Sequence, residues 1–413
     1  MIKIAMLSTG EEVLHGDIVD TNAAWLSSTF FENGFSLSKR STVGDGLAVI
    51  TEELLMLSFN SDVVIVNGGL GPTSDDLSAQ AAAKAADEEL TLFEAWNEKL
   101  VTFFKQRGIE MPESNIKQAM LPISSTIIDN PIGTACGFQM TINQCLFFFT
   151  PGVPSEFKLM VEREILPALK QRYPEVSGYH CSKLHTFGAS ESGLSDVLDK
   201  IQLPEGHYLG YRSYLPYIEV KLFSPKEDEE TRIKLLQLVY GNIRQHVVSV
   251  DESMLSNIGH LIAEKKATVA VSEQSTQGWL TNWLHKDENL QQYCSHGWVL
   301  SDSLTVGNAE QDELAATFAL AGATREKCAS DIAIVTGKLV DNQFYIALSS
   351  KQGEWGQRLE FNRSYQPEDQ KTIIGTVAGD MLRRYLSGLQ VFTKYSSVKT
   401  IKEMHIPASV LHP

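Results

Sequence analysis

The stretch that decides the fold of the first part of the chain reads Asp62-Val-Val-Ile-Val-Asn67-Gly68-Gly69-Leu70-Gly71-Pro72-Thr73. Its first half, DVVIVN, is continuous, apolar and β-branched, which is typical of a central parallel strand buried on both faces. The glycines that follow let a phosphate group approach the backbone, and the helix expected after them offers free N–H groups. The stretch therefore predicts an α/β domain with a phosphate-binding turn at a strand end.

Strand and helix patterns alternate on both sides of this stretch. Apolar runs at Ile2–Leu7 and Cys145–Thr150 predict further buried strands. Apolar residues recur at helical spacing in Asp20–Asn33 and Leu77–Ala86. We predict a parallel sheet with helices on both faces, an α/β domain that covers residues 1–172.

The pattern changes after residue 172. Residues 173–250 predict a small α+β unit, within the usual size of a domain. Residues 251–390 form a third region, with strands expected at Ala267–Ser272 and Ile332–Thr336. Residues 391–413 show weak periodicity, and we expect a tail there.

Composition and charge limit the classes of partner. Hydrophobic residues make up 43% of the chain and charged residues 21%, which is ordinary for a globular protein. The net charge is -16, and residues 1–170 hold 22 Asp and Glu against 11 Lys and Arg. Such a surface repels a polyanion, so we expect no nucleic-acid partner. A small anion would need local donors or a metal ion to neutralise it.

The five cysteines predict free thiols in a reducing compartment. Their number is odd and no Cys-x-x-Cys occurs. The first residues, MIKIAMLSTG, lack the features of a signal peptide. No apolar run approaches the roughly 20 residues that span a bilayer. We therefore expect a cytoplasmic protein without a membrane partner.

Carboxylates gather at the predicted strand ends. Asp75 and Asp76 follow the glycine-rich turn directly, while Asp20 and Asp45 belong to two other turns that are expected at the same sheet edge. Carboxylates beside a phosphate repel it unless a divalent cation lies between them. These four residues therefore predict a metal site. The alternative for Asp20 or Asp76 is a helix N-cap, the usual role of Asp before a helix.

Longer motifs around these residues resemble the CinA family (competence/damage-inducible protein A). The motifs that carry the resemblance are Ser8-Thr9-Gly10-Glu11-Glu12, Asp20-Thr21-Asn22, Gly68–Asp76, Asn115-x-Lys117-Gln118-Ala119, Asn130–Gly137 and Pro151–Glu156. The resemblance implies three parts: a molybdopterin-binding-like α/β domain, a small K-homology-like α+β domain and a C-terminal α/β domain related to nicotinamide-mononucleotide deamidases. In the family, the first domain is a metal-dependent pyrophosphatase, and related cofactor-biosynthesis proteins bind molybdopterin in the same pocket.

The resemblance and the acidic turns together predict an enzyme. We expect a nucleotide pyrophosphatase that hydrolyses ADP-ribose or a related dinucleotide to AMP, with Mg, Mn or Co as its cofactor. The expected catalytic residues are Asp20, Asp76 and Lys117. The expected substrate-binding residues, several of them implied by the resemblance alone, are Thr9, Gly10, Asn22, Gly68, Gly69, Gly71, Thr73, Asn115, Gly133, Thr134, Ser155 and Glu156.

Two alternatives to the enzyme stay open at this stage. One is a pterin- or nucleotide-binding module without turnover. The other is a structural or regulatory protein, and a homodimer is the expected assembly in either case.

The C-terminal region departs from the family pattern. The deamidase motif Ala-Glu-Ser-Cys-Thr-Gly-Gly corresponds to Ser272–Gly278, SEQSTQG, and Gln274 stands where the nucleophilic serine is expected. A glycine-rich phosphate loop is replaced in residues 336–342, TGKLVDN. We therefore expect a retained fold without deamidase activity, which serves dimerisation or ligand binding. The alternative makes Ser275 the nucleophile.

Overall fold

A computed structural model describes residues 2–301 and 312–411. The chain divides into two compact units, residues 1–180 and residues 181–413. Each unit is described here on its own.

The first unit holds eight strands among its described residues, and their bounds are β1 Ile4–Thr9, β2 Leu37–Val43, β3 Val63–Asn67, β4 Leu90–Leu92, β5 Met120–Pro122, β6 Thr126–Ile128, β7 Gly137–Ile142 and β8 Cys145–Thr150. Its helices are α1 Glu11–Leu14, α2 Thr21–Glu32, α3 Leu47–Asn60, α4 Ser78–Ala86, α5 Glu94–Gln106, α6 Pro154–Met160 and α7 Leu166–Arg172. A 3₁₀ helix covers Glu113–Ala119, and a π-helical turn, Val161–Ile165, joins α6 to α7.

The main sheet has the order β2-β1-β3-β8-β7-β6. Strands β2, β1, β3 and β8 are parallel, and β3 is buried along its whole length. Alternate residues of β3 belong to different hydrophobic clusters: Val64 and Val66 to one, Val63 and Ile65 to the other. The sheet is therefore covered on both faces, which confirms the predicted α/β class.

One edge of the sheet is antiparallel, which the sequence interpretation missed. Strands β7 and β8 form a hairpin through Asn143 and Gln144, both with positive φ (49° and 70°). Two consecutive residues with positive φ are typical of a tight hairpin turn. Because neither residue is glycine, the signal in the sequence was weak.

Residues 181–250 form a small sheet with two helices. Its strands are β9 Tyr179–Phe187, β10 Tyr208–Tyr214, β11 Tyr217–Pro225 and β12 Val247–Val250, and its helices are α8 Glu191–Leu198 and α9 Glu229–Ile243. The sheet order is β10-β11-β9-β12. The sequence of elements, β-α-β-β-α-β, is the split βαβ arrangement, and the expected α+β class is confirmed.

The rest of the second unit is built on a six-stranded sheet. The strands are β13 Val269–Glu273, β14 Cys294–Val299, β15 Ile332–Val340, β16 Gln343–Ser350, β17 Gly353–Phe361 and β18 Val398–Pro407. The helices are α10 Met254–Lys265, α11 Trp279–Leu284, α12 Glu288–Tyr293, α13 Glu313–Lys327, α14 Pro367–Leu386 and α15 Ala408–Leu411. The order is β14-β13-β15-β16-β17-β18, with β13 parallel to β14 and β15 and the other pairs antiparallel.

The expected tail is wrong for residues 398–407. They form β18, which pairs with β17 along nine residue positions from Phe361↔Val398 to Gly353↔Pro407. Most residues of β18 are at least partly exposed, as in an edge strand with one solvated face. This mixed polarity explains the weak periodicity.

Two further observations concern the expected compartment. No helix among the described residues has both the length and the apolar character to cross a bilayer. All five cysteines are free thiols, and Cys136, Cys145 and Cys294 are buried. Burial raises the pKa of each of these three thiols to about 12, so they are poor nucleophiles at neutral pH.

Candidate functional site

The first unit contains a cavity of about 470 Å³ at the carboxyl ends of β1, β3 and β8. This is the place where open α/β sheets bind ligands. Most of the predicted site residues line it together: Thr9, Gly10, Asp20, Asn22, Asp45, Gly68, Gly69, Gly71, Asp75, Asp76, Thr134 and Glu156. The sequence therefore predicted which turns converge.

Glycine is required where the turn after β3 passes its neighbours. Gly68 and Gly69 have positive φ, 111° and 67°. A Cβ on Gly68 would lie 2.7 Å from the backbone oxygen of Thr9, and one on Gly69 would lie 2.4 Å from Oγ of Ser78. Because the turn passes so close to Thr9 and Ser78, neither position has room for a side chain.

A network of buried amides supports the floor of the cavity. Asn22 Nδ2 donates to Asn67 Oδ1 (3.0 Å) and to the Gly152 oxygen (2.8 Å), and Asn67 Nδ2 donates to the Pro151 oxygen (2.7 Å). Two buried oxygens, Thr9 Oγ1 and Asn22 Oδ1, have no hydrogen-bond partner among the described residues. Unpaired buried polar atoms are costly, and a functional site is one place where they are retained.

Asn67 is a site residue that the sequence interpretation missed. It is the last residue of the apolar strand β3, and only 5% of its surface is exposed. A polar residue at the carboxyl end of a buried strand was the signal that could have found it. Gln118 was also not predicted as a site residue, although it lines the cavity and is buried.

Three of the four predicted metal ligands, Asp20, Asp45 and Asp76, accept hydrogen bonds from the protein itself. Asp20 is the N-cap of α2: its Oδ1 accepts from Ala23 N (2.8 Å), while its Oδ2 accepts from Ser8 Oγ (2.6 Å). Asp76 Oδ2 accepts from Thr73 N (2.9 Å). Asp20 therefore caps α2, as the alternative interpretation expected, and it also lines the cavity.

The described residues contain no preformed metal site. Asp45 Oδ2 accepts from Glu11 N (3.1 Å). Across residues 2–301 and 312–411, no three His, Cys, Asp or Glu side chains lie close enough together to hold an ion. The residues as placed do not fit a preformed ion site, so the divalent cofactor stays a prediction.

Negative charge accumulates around Asp45. Partial burial raises the pKa of its carboxyl above the usual value of 3.8, and the carboxylates of Glu12, Asp75 and Glu11 raise it further. The hydrogen bond from Glu11 N opposes this rise. The cavity lining holds six acidic side chains and, among the described residues, no Lys, Arg or His.

The remaining predicted residues lie beside the cavity rather than in its lining. Lys117 Nζ donates to the Thr73 oxygen, and Lys117 lines a smaller adjoining cavity of about 220 Å³. Asn115 Nδ2 donates to Gln118 Oε1 (2.8 Å), so it holds a lining residue in place. A Cβ on Gly133 would lie 2.2 Å from Glu156 Oε2, whereas Ser155 is exposed at the start of α6.

A second candidate site lies in the other unit, at the turn between β13 and α11. Glu273 ends β13 and is completely buried. Its Oε2 accepts from Thr276 Oγ1 (2.6 Å), Leu280 N (2.9 Å) and Gly278 N (3.1 Å). Its Oε1 accepts from the hydroxyl (2.5 Å) and the backbone N–H (2.8 Å) of Thr281.

Ser275 lies in the same turn, at the carboxyl ends of parallel strands. Its backbone N–H donates to the Gly337 oxygen of β15 (3.1 Å), and Gln274 N donates to the Thr336 oxygen (2.8 Å). Gln274 Nε2 also donates to the Ser301 oxygen, next to β14 (3.2 Å). Ser275 Oγ is buried and has no hydrogen-bond partner among the described residues.

The glycine-rich phosphate loop of the family pattern is replaced by a hairpin in this structure. Residues 336–342 continue β15 into a hairpin with β16, turning at Asp341 and Asn342, both with positive φ. They therefore form no glycine-rich loop.

A family model described as "Probable molybdopterin binding domain" matches residues 5–171. A CinA-like protein of Escherichia coli O17:K52:H18 is 40% identical over 412 residues, covering 99% of this chain and all of that protein. An NMN amidohydrolase-like protein, YfaY of Escherichia coli K12, is 41% identical over 406 residues, which are 98% and 99% of the two chains. The chain belongs to the CinA-like family.

One solved structure of a CinA protein is also similar. It comes from Thermoplasma acidophilum and is described as of unknown function. It is 28% identical to this CinA-like chain and covers 41% of it and 96% of its own length, with a TM-score of 0.36.

The relatives of this CinA-like chain overturn two expectations. A protein similar along nearly the whole chain is named for its likeness to an NMN amidohydrolase, and neither relative is named for pyrophosphate hydrolysis. The predicted metal-dependent ADP-ribose pyrophosphatase is therefore wrong, and so is the expectation that deamidase-type function is lost. In the structure, Asp20, Asp45 and Asp76 accept hydrogen bonds from the protein, and the buried Ser275 hydroxyl at the turn after β13 has no hydrogen-bond partner among the described residues.

Proposed function

We propose that this protein has an amidohydrolase-type function on nicotinamide mononucleotide, located at the turn between β13 and α11. The observation that carries the proposal is the Ser275 hydroxyl, which is buried at the carboxyl ends of β13 and β15 and has no hydrogen-bond partner among the described residues. The amidohydrolase-like relative, 41% identical over 98% of the chain, supports the choice of reaction.

The chemistry needs a hydroxyl and a water molecule. The Ser275 oxygen attacks the carboxamide carbon, the C–N bond breaks, and the hydroxyl proton leaves with the nitrogen as ammonia. Water then hydrolyses the ester, which releases the carboxylate and restores the hydroxyl.

The test is ammonia release from nicotinamide mononucleotide by the purified protein. We expect Ser275→Ala to abolish release. Ser330→Ala is the matched control, because Ser330 is also buried in this unit with an unpaired Oγ, but lies just before β15 at the opposite end of that strand. Equal release by wild type and Ser275→Ala, or no release by wild type, would contradict the proposal.

We propose as a second function that the cavity of the first unit binds a small nucleotide without turnover. The convergent lining, the unpaired Thr9 Oγ1 and Asn22 Oδ1, and the match to a molybdopterin-binding family model support it. The predicted binding roles of the lining residues, and of Thr73, Asn115, Gly133 and Ser155, belong to this proposal, in which Asp20, Asp76 and Lys117 have no catalytic role.

Calorimetric titration with AMP tests this second function and the predicted cofactor together. We expect binding to wild type that weakens in Asn22→Leu, and a gain in affinity with Mg²⁺, Mn²⁺ or Co²⁺ compared with EDTA. An affinity that EDTA leaves unchanged would argue against the metal.

The expected compartment, assembly and partners of the protein are also proposals. We propose a cytoplasmic homodimer that binds neither nucleic acid nor membranes. The net charge of -16 supports the first exclusion. Light scattering in solution checks the assembly, with a mass of twice 45.8 kDa expected.

A further inference from the structure

Glu273 is a buried carboxylate at the end of β13. None of its surface is exposed, and it takes part in no ion pair among residues 2–301 and 312–411. A buried charge of this kind is retained only when hydrogen bonds replace its hydration. Neither the relatives nor the proposed function assigns it a role.

The hydrogen bonds to Glu273 span Ser275 in the chain. Glu273 precedes Ser275 by two residues, and its five donors belong to Thr276, Gly278, Leu280 and Thr281, which follow it. One side chain therefore closes the loop from the end of β13 to the start of α11. Ser275 lies inside this closed loop.

We propose that Glu273 is a positioning residue that holds the turn carrying Ser275 in its reactive geometry. The inference rests on the proposed amidohydrolase-type function. Glu273 acts through the turn rather than on the substrate, because it accepts all five of its hydrogen bonds from residues of the turn. Its contribution is to fix the Ser275 backbone between β13 and β15.

A glutamine cannot replace this carboxylate. Five donors point at two oxygens, and an amide supplies one oxygen and one NH₂ group. The hydroxyls of Thr276 and Thr281 can rotate and accept from the NH₂, but a backbone N–H cannot. At least one backbone donor of the turn would then face another donor, and the turn would open.

The first experiment compares Glu273→Gln with Glu354→Gln in the full chain. Glu354 is the matched control: it is also a buried glutamate of this unit, accepting from Ser349 Oγ (2.8 Å) on a different strand pair. We expect Glu273→Gln to lower kcat for ammonia release about tenfold or more with KM nearly unchanged. Glu354→Gln should leave both constants near wild type, and Glu273→Asp, which keeps two acceptor oxygens, should be intermediate.

The second experiment does not depend on activity. Ser275→Cys places a thiol in the turn, and its alkylation by iodoacetamide is followed by peptide mass mapping, which separates it from the five native cysteines. We expect alkylation about tenfold faster when Glu273→Gln is added, because the turn opens and exposes position 275. Adding Glu354→Gln should not change the rate.

The two experiments separate two kinds of failure. If wild type releases no ammonia, the proposed function is wrong, and the alkylation rates alone decide whether Glu273 holds the turn. Equal alkylation rates with and without Glu273→Gln overturn the inference, as does an equal fall of kcat in Glu273→Gln and Glu354→Gln.

Discussion

At the scale of single residues, Gly69 shows how the absence of a side chain shapes the first cavity. We expect Gly69→Ala to lose about 2 kcal/mol more stability than Gly16→Ala. Both glycines have positive φ, 67° and 80°, but a Cβ on Gly69 meets Ser78 while one on Gly16 meets nothing within 4 Å. Urea unfolding measures the difference, and equal losses would show that backbone strain alone matters.

The raised pKa of the Asp45 carboxyl predicts how the stability of the folded protein depends on pH. Because its pKa is raised in the folded protein, its ionisation disfavours the folded state, and this penalty is present at neutral pH and disappears as pH falls below the unfolded value of 3.8. Asp45→Asn should therefore unfold at a slightly higher temperature than wild type at pH 7, and the advantage should shrink towards pH 4.

Thermal unfolding across that range is the measurement, and Asp17→Asn, at an exposed position, is the control. An advantage of Asp45→Asn that grows as pH falls would contradict the argument. The Asn side chain can still accept from Glu11 N, so the hydrogen bond is not the variable.

The place of several cavity residues could be predicted from the elements beside them. The turn of Thr9 follows an apolar strand, and the turns of Asp20, Asn22 and Asp76 precede helices. What each oxygen does could not be predicted, because spacing along a chain does not show that Asp76 accepts from Thr73 or that Asp20 caps α2. The same limit hid Glu273, whose donors lie three to eight residues further on.

At the scale of elements, α14 packs closely against α11. A Cβ on Gly375 would lie 2.3 Å from the ring of Trp279, which stacks on Trp283 at 5.6 Å. We expect Gly375→Ala to cost about 1–3 kcal/mol because the ring has to move in a packed core. Chemical unfolding measures the cost.

Gly241→Ala is the matched control for this change. Gly241 lies in α9, and a Cβ there meets nothing within 4 Å. Since alanine favours helix over glycine, the control should be neutral or stabilising by up to about 1 kcal/mol. Similar losses in both variants would show that helix propensity, not the Trp279 contact, decides.

Buried parallel strands were predictable, whereas antiparallel partners at sheet edges were not. Strands β3 and β8 are continuous apolar runs, and this pattern alone marks them. The hairpin partner β7 and the edge strand β18 mix exposed and buried residues, so no clear period appears in the sequence.

At the scale of the whole second unit, residues 390–397 connect the four-stranded sheet to the part built on the six-stranded sheet. Ser396 N donates to the Gly188 oxygen (3.1 Å), and the Tyr395 ring lies 4.9 Å from that of Phe187. Tyr395 OH donates to Asp380 Oδ2 (3.0 Å), and Asp380 also pairs with Arg383.

We expect Tyr395→Phe to lower stability by about 1–3 kcal/mol, because Asp380 loses a buried donor. Amide exchange near Gly188 should accelerate as the connection loosens. Tyr240→Phe, on an exposed face of α9, is the control and should change neither quantity. An unchanged rate of amide exchange at Gly188 would contradict the proposed connection between the two sheets.

The division of the chain was only partly visible beforehand. The change of pattern after residue 172 lies close to the observed boundary at residue 180, because the strand–helix alternation stops there. The connection made by Tyr395 and Ser396 joins residues about 200 positions apart, and no local pattern reports such a contact.

Strand β18 also has a consequence during protein synthesis. Ribosomes add about 5–20 residues per second, so roughly 2–9 s separate the emergence of the end of β17 from that of residue 407. Until residues 398–407 leave the ribosome, the backbone of β17 has no partner along its outer edge, and unpaired edges invite pairing with other chains. We therefore expect the nascent second unit to pass through an interval in which this edge is open to aggregation, and slower translation before codon 398 should lengthen that interval.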